Sequence, residues 1–374
     1  MKTICKLLFT FLLAVNFSAA AQVEYSDSVL RRYAAEMLMV GFKGDCISDT
    51  SDAARYVRDL HVGGVILFDV DLTGSKELGS RNITDKERLK RLTRDLQAYG
   101  DGKLLIALDQ EGGRVARLKP QYGYLPTVSH KFLGDTDNPD TTYHYALQMA
   151  QEEAYSGVNL NLAPDIDVNI DENCPVIGKL NRSFSSDTIV VAKNAEQFID
   201  AHHSCGVYCA VKHFPGHGSS SADSHYGLTD VTSTWLPCEL YPYQYLISAG
   251  KLDAIMTAHI FNRNIDANYP ATLSYSTLTG LLRNKLGFQG LILTDDMYMQ
   301  GIVDNYSIDD AVTLAINAGA DILVMGNNIT TGFEADRPFA VVEMIIKAVK
   351  AGKIRPERLK ESYDRIRTFK ESHN

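Results

Sequence analysis

Leu104-Leu105-Ile106-Ala107-Leu108-Asp109-Gln110-Glu111-Gly112-Gly113 is the stretch on which the fold turns. Five apolar residues run without polar alternation, as in a strand covered on both faces of a parallel sheet. The glycine-bearing turn behind them lacks the G-x-G-x-x-G spacing that cradles a dinucleotide. Seven further apolar runs share this character, at 38–42, 64–68, 158–163, 207–211, 254–258, 291–294 and 322–325. Helical patterns separate them, at 84–99, 141–156, 188–203 and 309–318, with two more at 338–350 and 355–370. Strand–helix alternation fits both an open doubly wound sheet and a closed barrel, and the count of eight favours a (β/α)8 TIM-type barrel. No linker rich in Pro, Gly or Ser interrupts the pattern, so a single domain over 22–374 is expected.

The first 21 residues stand apart. Lys2 and Lys6 precede the apolar run 7–15, and Ala19-Ala20-Ala21 follows. This is the layout of a secretory signal peptide cleaved after Ala21. The apolar run is too short to span a bilayer, which takes about 20 residues. The expectation is an exported protein, periplasmic or secreted, without a membrane span. Removing Lys2 and Lys6 leaves 35 basic against 46 acidic side chains, a charge of −11. Such a surface repels phosphate backbones, so nucleic acid is excluded as a partner. The hydrophobic share of 45% is that of a globular chain. Cys46, Cys174, Cys205, Cys209 and Cys238 remain after cleavage, an odd and sparse set with no C-x-x-C pair. A disulfide scaffold and the common zinc motifs are thereby set aside.

In a barrel of this kind the chemistry gathers where the strands end. Those ends read Asp109, Asp165, Lys212-His213, His259, Asp295-Asp296 and Asn327-Asn328. Lys212-His213-Phe214-Pro215-Gly216-His217-Gly218 leads on to Asp223-Ser224-His225 in a stretch without helical or strand period up to about Thr234. In extended chain Asp223 and His225 project to one side, so the carboxylate can orient the imidazole as a general acid/base. A metal reading would use His213, His217, Asp223 and His225. Pro215-Gly216 prevents the helix that would align the two histidines, and neither metal nor cofactor is expected. Asp295 and Asp296 point to opposite faces of an extended strand, so one of them reaches a given substrate atom. Asp295 as nucleophile with His225 as acid/base suits retaining glycoside hydrolysis with a histidine in place of the second carboxylate.

These residues resemble glycoside hydrolase family 3, in its β-N-acetylglucosaminidase (β-hexosaminidase) branch, over essentially the whole chain after residue 21. The resemblance is carried by 108–115, by Asn181-Arg182-Ser183-Phe184, by 212–225, and by Gly287-Phe288-Gln289-Gly290 leading into Thr294-Asp295-Asp296. It implies that Asp295 is the nucleophile, His225 the acid/base and Asp223 its orienting partner. It also implies that Asp109, Arg117, Arg182, Lys212 and His213 hold the terminal sugar, a small carbohydrate substrate. The implied activity is removal of terminal β-linked N-acetylglucosamine, with peptidoglycan fragments or other N-acetylglucosaminides as substrates. A β-glucosidase of the same family and a sugar-binding protein that has lost catalysis are the competing readings.

Overall fold

Each predicted apolar run forms a strand, and the eight strands join in parallel. They are β1 Leu38–Gly41, β2 Gly64–Ile66, β3 Leu105–Leu108, β4 Leu160–Asn161, β5 Tyr208–Phe214, β6 Ala254–Thr257, β7 Leu291–Leu293 and β8 Leu323–Met325. In this computed structural model, which describes residues 25–136, 138–223, 227–330 and 332–372, the hydrogen-bonded order is β8-β1-β2-β3-β4-β5-β6-β7. β7 and β8 meet through a bridge between Leu293 and Ile322, which brings the last strands of the row together. The result is a nearly closed eight-stranded (β/α)8 barrel. The registers are regular, with Val65 facing Val40 on one side and Ile106 on the other. Between β5 and β6 the register shifts between Val211 and Phe214.

The helices follow from local chemistry. Lys86–Tyr99 begins where the Asp85 side chain accepts from Arg88 N, and it buries Leu89, Leu92 and Leu96 at helical spacing. Asp187 caps Thr188–Ser204 and Ser307 caps Ile308–Ala318 in the same way. Arg337–Lys350 and Pro356–Glu371 complete the outer ring near Asp27–Glu36, against which both pack. Cys174 and Cys209 are buried and Cys205 half-buried, while Cys46 and Cys238 are exposed; all five are free thiols.

The described part of the long connection behind β5 carries regular structure that its sequence did not indicate. Thr229–Asp230 pairs in parallel with Ile260–Phe261, which follows β6, and forms a small ribbon above the barrel rim. Gly218 permits the loop to approach the segment after β4, since a Cβ there would lie 1.8 Å from the Val168 carbonyl oxygen. Among the described residues no helix is long and apolar enough to cross a membrane. The expected cleavage point after Ala21 and His225, the expected acid/base, lie outside the described residues.

Candidate active site

β3 delivers Asp109 to the rim and the chain then turns back on itself. Gln110 holds that turn: its side-chain oxygen accepts from Arg117 N (2.8 Å) and Leu118 N (2.9 Å). Arg117 therefore returns over Asp109, with its Nη2 3.0 Å from Oδ2. Lys212, near the end of β5, sends Nζ to Asp109 Oδ1 (2.7 Å) and to Glu111 Oε1 (2.8 Å). Glu111 in turn takes a two-pronged contact from Arg182, Nη2 at 2.7 Å and Nε at 2.8 Å. Arg182 also reaches Asp165 Oδ2 (3.3 Å) and His213 Nε2 (3.1 Å). His213 Nδ1 lies 2.6 Å from Asp167 Oδ2, and Asp167 Oδ1 accepts from His217 N at 2.7 Å. Five expected sugar-holding residues, Asp109, Arg117, Arg182, Lys212 and His213, thus form one connected cradle.

Its charge states are set by proximity. Burial alone would raise the Asp109 carboxyl, but the charges of Lys212 and Arg117 overcome this and hold it at about 2. Glu111 is likewise held well below its ordinary range by Arg182 and Lys212, against its burial. Asp165 goes the other way: burial, then the neighbouring Asp167 charge, lifts it well above the ordinary carboxylate range. Asp167 is buried too, yet the adjacent His213 lowers it. His217 is pushed down to about 4 by burial and by His213, so its ring is neutral at pH 7. Asp109 and Glu111 are therefore ionised acceptors set among fixed donors, suited to the hydroxyl and acyl oxygens of a neutral sugar.

Asp165, Asp167 and His213 bring ligand atoms within 4.8 Å of one another. They do not suit a cation. The Arg182 guanidinium already sits on Asp165, and His213 Nδ1 is engaged by Asp167.

Asp295 follows β7 at the same rim, half-buried, with Oδ1 accepting from Asp296 N at 2.8 Å. Asp296 is turned into the protein, where burial raises its carboxyl to about 6 and Tyr298 N donates to it at 3.0 Å. His259 stands behind, its Nε2 donating to the Asp296 carbonyl (2.9 Å). Asn328 accepts from Leu72 N and Arg81, tying β8 to the loop after β2. Asp223 is half-buried in the loop behind β5.

Glu111 and Asp167 are members of the cradle that sequence reasoning did not single out, and Asp165 was singled out only as a strand-end candidate without a role. The Asp-x-Asp spacing of 165 and 167 was a usable signal, because it sets both carboxylates on one side of extended chain. For Glu111 the signal lies in its Arg182 partner, 71 residues away.

Residues 29–369 match the model of the glycosyl hydrolase family 3 N terminal domain. The chain is 36% identical over 294 residues to a β-hexosaminidase of Tolumonas auensis, covering 78% of this chain and 83% of that one. It is 32% identical over 390 residues to β-hexosaminidase A of Pseudoalteromonas piscicida, covering 94% of this chain and 62% of the relative. Among solved structures, a glycoside hydrolase family 3 β-N-acetylglucosaminidase from Paenibacillus sp. str. FPU-7 superposes with a TM-score of 0.82 at 32% identity. That match takes in 92% of this chain and 62% of the solved one, so the chain spans less than two thirds of either longer protein.

Proposed function

Since the chain belongs to glycosyl hydrolase family 3, we propose that it is a retaining exo-glycosidase that removes terminal β-linked N-acetylglucosamine. The observation that carries this reading is the cradle Asp109–Lys212–Glu111–Arg182–His213 on the rim that also bears Asp295. Relatives named β-hexosaminidase or β-N-acetylglucosaminidase support the choice of sugar.

In the proposed cycle the Asp295 carboxylate attacks the anomeric carbon, and the bond from that carbon to the leaving oxygen breaks. His225, oriented by Asp223, gives its proton to that oxygen. Water then attacks the glycosyl–Asp295 ester from the vacated face, His225 takes the water's proton, and Asp295 is released with configuration retained. A half-buried nucleophile beside fixed, ionised sugar-holding groups suits this sequence. The substrates are fragments of peptidoglycan or other N-acetylglucosaminides met outside the cytoplasm, after cleavage behind Ala21.

Paired chromogenic β-N-acetylglucosaminide and β-glucoside provide the test. Turnover of the N-acetyl substrate well above the glucoside is expected. The reverse preference makes the protein a β-glucosidase, and tight sugar binding with no turnover of either makes it a binding protein.

A further inference from the structure

At the barrel end opposite Asp109 and Asp295, a cavity of about 470 Å³ lies beside the turns leading into β7 and β8 and the N-terminal half of Pro356–Glu371. Arg283, Arg355, Arg358 and Arg365 all line it. Two carboxylates answer these four guanidinium charges. Asp321, fully buried, is shared by Arg365 (2.5 Å), Arg283 (2.6 Å) and Arg358 (3.4 Å). Glu361, largely exposed, stands 3.5 Å from Arg358. A net charge near +2 is therefore concentrated in one recess of a chain whose formal charge is −9.

Several features make the recess more than a structural ion cluster. Arg358 is over nine-tenths buried, and its Nη1 makes no hydrogen bond, its nearest anion being Glu361 at 3.5 Å. Burial lowers Arg283 to about 10, with the Arg365 and Arg358 charges adding to the fall against the pull of Asp321. Arg355, Arg358, Glu361 and Arg365 line the recess along one flank of Pro356–Glu371. The Asn284 amide is a further lining group. Guanidinium forks match tetrahedral oxyanions, and two surplus positive charges match a dianion.

We propose that this cavity is a binding site for a phosphate group, free or carried on a small molecule. It lies across the barrel from the glycosidase rim, so its ligand takes no part in bond cleavage. Instead it would neutralise the arginines that crowd Asp321 and join the turn before β7 to the final helix.

The test uses the full chain at constant ionic strength. Calorimetric titration with inorganic phosphate and with N-acetylglucosamine 6-phosphate, against chloride and sulfate-free buffer, is read alongside the melting temperature. Saturable binding of either phosphate is expected, with the melting temperature rising in step. Arg355→Gln touches none of the Asp321 contacts, so it should fold and keep its glycosidase activity while binding phosphate about 10-fold more weakly. Combining it with Arg365→Gln should abolish binding. Saturation by the phosphate ester alone identifies a carried phosphate, and saturation by both a free one. No saturable binding of either, or equal affinity in wild type and the Arg355→Gln variant, would overturn the proposal.

Discussion

Asp109 is held on both sides by cations, Lys212 at 2.7 Å and Arg117 at 3.0 Å, and is thereby kept ionised without a ligand. A carboxylate fixed in this way loses little entropy when sugar hydroxyls arrive, because its geometry is already set. Asp109→Asn removes the shared counter-charge and leaves two cations facing each other. Hydrogen bonds to a charged group contribute about 1.5–3 kcal/mol, so kcat/KM should fall by roughly 10- to 10²-fold. Steady-state kinetics check this, with the loss expected in KM as well as kcat. The proposed division of labour is tested at the rim itself. Asp295→Ala should abolish turnover of every substrate. His225→Ala should slow natural glycosides by about 10²- to 10⁴-fold while sparing the first step on an activated aryl glycoside. External azide should then restore the second step. An equal loss on both substrate types without azide rescue would make His225 a binding residue.

Among the elements, the short turn Pro237–Leu240 carries an unusual load. It presents Glu239 to the inside of the loop behind β5, where a Cβ on Gly216 would come 2.7 Å from the Glu239 Cβ. Burial lifts this carboxyl from 4.5 to about 7. The folded state thus prefers the neutral form. Stability owed to Glu239 is full below about pH 4.5, declines as pH rises, and is gone above about 7. Glu239→Gln should remove that decline. Thermal melts of both proteins between pH 5 and 8 should diverge as pH rises, and parallel curves would show that Glu239 does not titrate in this window. The elements themselves were largely legible in the sequence, because buried strands and amphipathic helices leave periods of their own. The run at 104–108 and the helix at 84–99 were readable within a residue or two of Leu105–Leu108 and Lys86–Tyr99. Thr229–Asp230 was not, since two residues carry no period and its partner Ile260–Phe261 lies 31 residues on. The site divides similarly. Asp109, Lys212 and His213 were readable from strand ends, whereas the part played by Glu111 depends on contacts that only folding creates.

For the molecule as a whole, the barrel is closed by an uneven ring of bonds. Neighbouring strands such as β1 and β2 are laced by backbone alone, over three registered pairs. The β7–β8 seam also enlists side chains: Ile292 N donates to Asp321 Oδ2 and Val324 N to Thr294 Oγ1, each at 3.0 Å. A strand bonded to a side chain is released by a rotamer change, which needs no movement of the opposite backbone. In native-state hydrogen exchange, the amides of Ile292 and Val324 should accordingly exchange faster than those of Leu67 and Leu162, which donate to backbone carbonyls, and Thr294→Val should accelerate Val324 further. Uniform protection around the ring would contradict this. The first and last strands also meet at β1 and β8, 282 residues apart from Gly41 to Leu323, so that contact must form late against a long loop. The loose seam and the late joint flank the same strand. β8 therefore behaves as the stave driven in last, and a hoop loosened at that stave opens the cask without disturbing the others.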